Sequence, residues 1–257
     1  MVAVLLLYFN KNLMKHSILK LVGALALLVA FTACKKDTLQ KDTPEASGCP
    51  EGAVDLGIVM TREDGTTYKV YWATCNLCKD GFVSSPEVYG DYYAWGETEP
   101  KSDYDWSTYK FGTSESGPFS KYNPEDKKTV LETGPNGDDV ASKLLGGKWR
   151  MPTYAEWTAL LDNCTCLCLD NFCGTGVAGT LVMSNVEGYK GNSIFLPTAG
   201  YRSSNLCTDN IGYYWSSSLY TEIQENNSAL IITFYSGGFY DAGSPRRFGR
   251  SVRPVTE

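Results

Sequence analysis

Apolar residues crowd into one unbroken run near the N-terminus, 21–33, and elsewhere come in short groups separated by Gly, Ser, Asn and Pro. The run holds 13 residues, short of the roughly 18–20 needed to cross a bilayer as a helix. Residues 35–50 (KKDTLQKDTPEASGCP) follow with no apolar period and read as a flexible tether. Such a tether reaches about 20 Å on average by flexible-coil scaling. From residue 54 onward the chain alternates short β-branched or aromatic groups with turns. Strands are predicted at 68–72, 193–196, 213–217, 229–235 and 251–255.

Helical periodicity occurs twice. Asp138 and Asp139 precede Val140, Leu144 and Leu145, which share a face that ends at Gly146-Gly147. Pro152 and Thr153 then open a second helix, in which Thr153 and Glu156 have capping-box spacing and Trp157, Leu160 and Leu161 recur at helical intervals. Two short helices, many short strands and long Gly-, Ser- and Tyr-rich loops predict an α+β domain. No repeat at solenoid spacing is present.

Lys15 and Lys20, the run 21–33 and the small pair Thr32-Ala33 before Cys34 form the three-part layout of a secretory signal with cysteine at the first mature position. A bacterial lipoprotein is cut there and lipidated on that cysteine. A well-formed signal opens at Met14, so residues 1–13 read as an over-long start. Phe31 departs from the Leu, Val or Ile usual at its position in a lipobox. The expected organisation is a signal peptide over 1–33, a lipidated tether over 34–50 and one domain over 51–257.

Cleavage leaves 224 of the 257 residues, enough for one sizeable core. Losing Lys11, Lys15 and Lys20 takes the 23 basic side chains to 20 against 29 acidic, a net charge near −9. Such a chain repels nucleic acid and anionic head groups, so membrane attachment falls to the lipid on Cys34. The sole histidine, His16, lies in the signal. Its loss removes Ser-His-Asp and Cys-His mechanisms and histidine-containing zinc sites from the mature protein. Eight cysteines remain after Cys34: Cys49, Cys75, Cys78, Cys164, Cys166, Cys168, Cys173 and Cys207. An even number in an exported chain suits disulfides, whose pairing the sequence leaves open. If 164–168 is extended, its three thiols share one face, opposite Thr165, Leu167 and Leu169. Structural disulfides, buried thiols, a metal cluster and a catalytic thiol all remain readings of that group. Cys75 and Cys78 match a redox pair by spacing only, because they leave a strand rather than open a helix.

The segment KWRMPTYAEW at 148–157 resembles a block shared by formylglycine-generating-enzyme-like and other C-type-lectin-like domains. With WATCN at 72–76, GDYYAWGET at 90–98, IFLP at 194–197, AGYR at 199–202, YWSSS at 214–218 and GRSVRPV at 249–255, the set resembles the Fibrobacter succinogenes major paralogous domain, common in Bacteroidota lipoproteins. That resemblance spans about 54–256 and implies a C-type-lectin-like fold of two antiparallel sheets, two helices and a long variable loop region. It also implies an exported, outer-membrane location, with the domain facing the periplasm or the cell surface. The enzymes of this superfamily use a cysteine pair near the C-terminal end, and 208–257 contains no cysteine. Calcium-binding lectins use E-P-N or Q-P-D tripeptides, and neither occurs here. Catalytic residues, metal ligands and cofactors are therefore not expected.

The richest aromatic and acidic stretch is the loop with Trp95, Glu97, Tyr104, Trp106 and Tyr109, a candidate site for a glycan or a protein ligand. Its alternative is that Trp95 packs in the core and Tyr104 and Trp106 cover it. Asp103, Asp105 and Asp209 read as solvated loop acids, and YSGGFY at 235–240 as a hairpin loop. Arg150 and Arg253 sit in structural blocks and are expected to form ion pairs or backbone hydrogen bonds. A structural envelope or fimbria-associated subunit is the rival to a binding role, ahead of an oxidase of formylglycine-generating type.

Overall fold

A computed structural model describes residues 48–222 and 226–257. The expected signal, Cys34 and nearly all of the expected tether lie outside the described residues. No helix among those described is long and apolar enough to cross a membrane.

The first strands form a hairpin, β1 (Ala53–Thr61) with β2 (Thr67–Ala73). Its register shifts between Asp55 and Val59. There Gly57 adopts φ +76° and lies so close to Tyr189 that an added Cβ would fall 2.4 Å from the ring. Asp55 fixes this bulge, accepting from the Gly57 amide at 2.9 Å and from Lys69 Nζ at 2.8 Å. Two short strands follow, β3 (Leu77–Cys78) and β4 (Gly81–Phe82).

Both predicted helices form. α1 (Val140–Leu145) is capped by Asp139, whose carboxylate accepts from the Ser142 amide, and ends at Gly146 with φ +67°. α2 (Tyr154–Asn163) has the full reciprocal box between Thr153 and Glu156, and buries Trp157 and Leu160. β5 (Cys164–Leu169) then pairs with β6 (Gly179–Ser184), which pairs with β7 (Ser193–Pro197). β8 (Tyr201–Arg202) and β9 (Leu206–Cys207) make a small hairpin. β10 (Gly212–Leu219), β11 (Ser228–Tyr235) and β12 (Gly238–Pro245) form a meander, and β13 (Val255–Thr256) returns to β2.

All ladders between these strands are antiparallel. They divide into three sheets of three strands and two of two strands, rather than the two sheets that the resemblance implies. The predicted strand at 251–255 is also shorter than expected. Pro254 donates no hydrogen bond, and Ser251 makes only an isolated bridge to Tyr214. Isolated bridges from 249–255 nonetheless reach Tyr93, Arg202, Tyr214 and Arg150, so the closing segment stitches the sheets together.

The core has two main parts. One packs Trp72, Trp157, Tyr214 and Phe234 between β2, α2 and the meander. The other gathers Trp95, Tyr109, Phe111, Tyr122 and Trp215. Trp95 and Trp215 satisfy their indole N–H groups on the Ser216 and Tyr93 carbonyls at 2.9 and 2.8 Å. Buried charge is handled as expected for Arg150 and Arg253. Arg150 pairs with Glu156, and Arg253 donates to Asn76 Oδ1 and to the carbonyls of Ala73, Thr74 and Phe195.

Candidate functional site

The 95–109 loop folds inward. Trp95 is fully buried, and Tyr104, Tyr109 and Glu97 are buried beside it. Tyr104 Oη donates to the Tyr92 carbonyl, and Tyr109 Oη to that of Trp95 at 2.9 Å. The Glu97 carboxylate accepts from Lys101 Nζ at 2.9 Å and from the Lys110 amide at 2.8 Å. Trp106 is half-buried in a turn, 106–108, that Asp105 caps, and its ring packs against Tyr109 and Phe119. This corrects the expectation of stacking faces open to a ligand. The aromatic density of the loop serves the core, because large rings bury more apolar area inside than they can offer at a surface. A basin of about 410 Å³ remains beside Tyr104, lined by Asp91, Lys101, Ser102 and Arg202.

The three cysteines of β5 lie as an extended strand places them. Cys164 and Cys166 face the Trp72 core, whereas Leu167 and Leu169 pack on the other face beside Phe172 and Phe195. Burial pushes the Cys164 thiol up to about 12 and the Cys166 thiol up to about 11. Cys49, Cys75, Cys78, Cys164, Cys166, Cys168 and Cys207 are free thiols. No three of His, Cys, Asp or Glu converge as a metal site among the described residues.

Cys168 is different, being exposed at the rim of a cleft of about 610 Å³. That volume lies within the range of small-ligand sites, roughly 300–1,000 Å³. The register of β5, β6 and β7 sets Cys168 opposite Thr180, and Gly179 opposite Pro197. Gly179 has no room for a side chain, since a Cβ would sit 2.4 Å from the Phe195 ring and 2.5 Å from the Leu196 carbonyl. The opposite wall is the β11–β12 hairpin, in which Tyr235 pairs with Gly238 around Ser236-Gly237. The Cys168 thiol donates to the Tyr235 carbonyl at 3.0 Å and ties the hairpin to β5.

Tyr235, Phe239 and Tyr240 are 36, 45 and 45% exposed, the largest open aromatic group among the described residues. The Tyr235 and Tyr240 rings meet edge to face at 5.8 Å. A second tyrosine, Tyr89, lines the cleft with Asp170, Asp209, Asn210, Thr198 and Ser236. Asp209 accepts from Tyr213 Oη at 2.8 Å and from the Ile211 amide at 3.2 Å. Burial, with that hydrogen bond, raises the Tyr213 hydroxyl above its ordinary pKa. Arg250 lies behind Tyr213, 4.6 Å from the ring centroid and also against Tyr201, Trp215 and Phe248. Its guanidinium donates to Ser244 Oγ, and burial lowers its pKa to about 10.

YSGGFY forms the hairpin loop expected of it, and Asp209 is exposed, as a loop acid should be. The cleft itself is made by residues from 89 to 236 that only the strand registers bring together. No protein-family model matches the chain, and neither a curated protein nor a solved structure does.

Proposed function

We propose that the protein is a lipid-anchored binding protein of the cell envelope, whose domain is C-type-lectin-like and recognises a glycan or a protein ligand without catalysing a reaction. The cleft beneath the β11–β12 hairpin carries this reading: exposed Tyr235 and half-buried Tyr89 line it together with hydroxyl, amide and carboxylate groups. Rings bind an apolar ligand face while convergent polar groups fix its orientation. The lipid on Cys34 supplies the outer-membrane attachment, and the acidic mature chain leaves nucleic acid aside. The C-type-lectin-like assignment is supported by two helices, antiparallel ladders, long loops and the meeting of β1 and β13 on either side of β2.

A structural role has one observation in its favour. β12 is the edge of its sheet and carries open rings at Phe239 and Tyr240, a surface suited to self-association. A screen of the purified full chain in detergent against immobilised glycans and envelope proteins separates the two. Saturable binding by a monomer supports recognition; concentration-dependent assembly with no ligand supports the structural role.

A further inference from the structure

The charge of the cleft defines what enters it. Its lining contains two carboxylates, Asp170 and Asp209, and no lysine or arginine. Asp170 is exposed and makes no hydrogen bond among the described residues, so its oxygens remain free acceptors. Thr180 lines the cleft wall but is 1% exposed, and its hydroxyl is paired with the Cys168 sulfur at 4.0 Å. The open polar groups of the cleft are therefore the exposed ones, Asp170 and Asp209 among them.

Resting on the binding reading above, we propose that the cleft takes neutral sugars and rejects acidic ones. A hexose offers an apolar C–H face to Tyr235 or Tyr89 and hydroxyl donors to the two carboxylates, and a charge-assisted hydrogen bond is about twice as strong as a neutral one. A uronate brings a third carboxylate into the same space, and like charges at close range repel. Arg250 offsets part of the Asp209 charge, but it is buried against the Tyr213 ring and is not part of the cleft lining, where the charged groups are the two carboxylates. The net charge of the mature chain acts in the same direction.

The test is calorimetric titration of the full chain in detergent with neutral tetrasaccharides (maltotetraose, mannotetraose, galactotetraose) and with tetragalacturonate. At least one neutral sugar binds, and the uronate binds about tenfold or more weakly than galactotetraose. The discrimination shrinks in Asp170→Asn, which breaks no hydrogen bond of the fold. It also shrinks for the unaltered protein in about 1 M salt, where the screening length falls to about 3 Å. Equal or tighter uronate binding overturns the proposal while leaving the cleft as a binding site. Binding of a tetralysine peptide in place of every sugar also overturns it, and assigns the cleft to a cationic peptide. No binding of any of these probes sinks both this proposal and the sugar-binding form of the broader reading.

Discussion

Arg150 holds Glu156 with two guanidinium nitrogens, at 2.7 and 2.6 Å, while the same carboxylate accepts from the Thr153 amide to close the N-terminal box of α2. One buried acid therefore serves both the helix terminus and the closing segment, since Arg150 also bridges to Glu257. Burial alone would raise the Glu156 pKa, but the Arg150 hydrogen bonds and charge overcome it and hold the carboxyl below its ordinary value. Glu156→Gln leaves the guanidinium without its main partner and is expected to cost about 3–5 kcal/mol at neutral pH. The folded form binds its proton less readily than the unfolded chain, so this stability is present above the ordinary glutamate pKa and is lost as pH falls through the lower folded value. Urea denaturation of both proteins at pH 7 and again near the acid limit of folding checks this, with the gap closing at low pH.

Asp139 behaves in the opposite sense. It is fully buried at the start of α1, where burial raises its pKa to about 6 despite hydrogen bonds from the Ser142 and Met151 amides. Between the unfolded value of 3.8 and about 6 the folded protein binds more protons, so raising pH through this window removes stability. The loss attributable to Asp139 is about 2–3 kcal/mol. Asp139→Asn keeps an acceptor for the amides and does not titrate. Its stability relative to the parent is expected to rise between pH 4 and pH 6.5, measured from urea midpoints.

Both helices were legible because capping residues and apolar spacing act within one or two turns. Thr153, Glu156, Trp157 and Leu160 needed no distant partner to be read. The 95–109 loop misled because Trp95, Tyr104 and Tyr109 carry no local sign of which way they face. Their burial follows from partners elsewhere in the fold: the Trp95 indole reaches the Ser216 carbonyl of β10, and the Tyr104 and Tyr109 hydroxyls reach the carbonyls of Tyr92 and Trp95. The cleft was illegible for the same reason. Cys168, Thr180, Asp209 and Tyr235 meet only after the β5–β6 and β11–β12 ladders have set their registers.

The thiols of β5 are expected to differ in reactivity along one strand. Cys164 and Cys166 are held protonated by burial, whereas Cys168 is exposed. Brief iodoacetamide treatment of the folded protein at pH 8 should label Cys168 while sparing Cys164 and Cys166. Peptide mass spectrometry reads the sites, and prior labelling of Cys164 would contradict the packing described.

The proposed anchor makes a separate prediction. With Cys34 lipidated, the protein expressed in a bacterium that processes lipoproteins partitions into detergent on phase separation and incorporates labelled palmitate. Cys34→Ala should lose both properties. Retention of either one by the variant would place the membrane attachment elsewhere.

The most direct measurement compares Tyr235→Ala and Trp106→Ala in the full chain, titrated with a ligand that the unaltered protein binds. Tyr235 is exposed on the cleft and Trp106 packs at the core margin. Loss of about tenfold or more in affinity for Tyr235→Ala, with Trp106→Ala unchanged among the molecules that remain folded, is the predicted result. Unchanged affinity in Tyr235→Ala, with binding abolished in folded Trp106→Ala, would contradict it and return the site to the 95–109 loop.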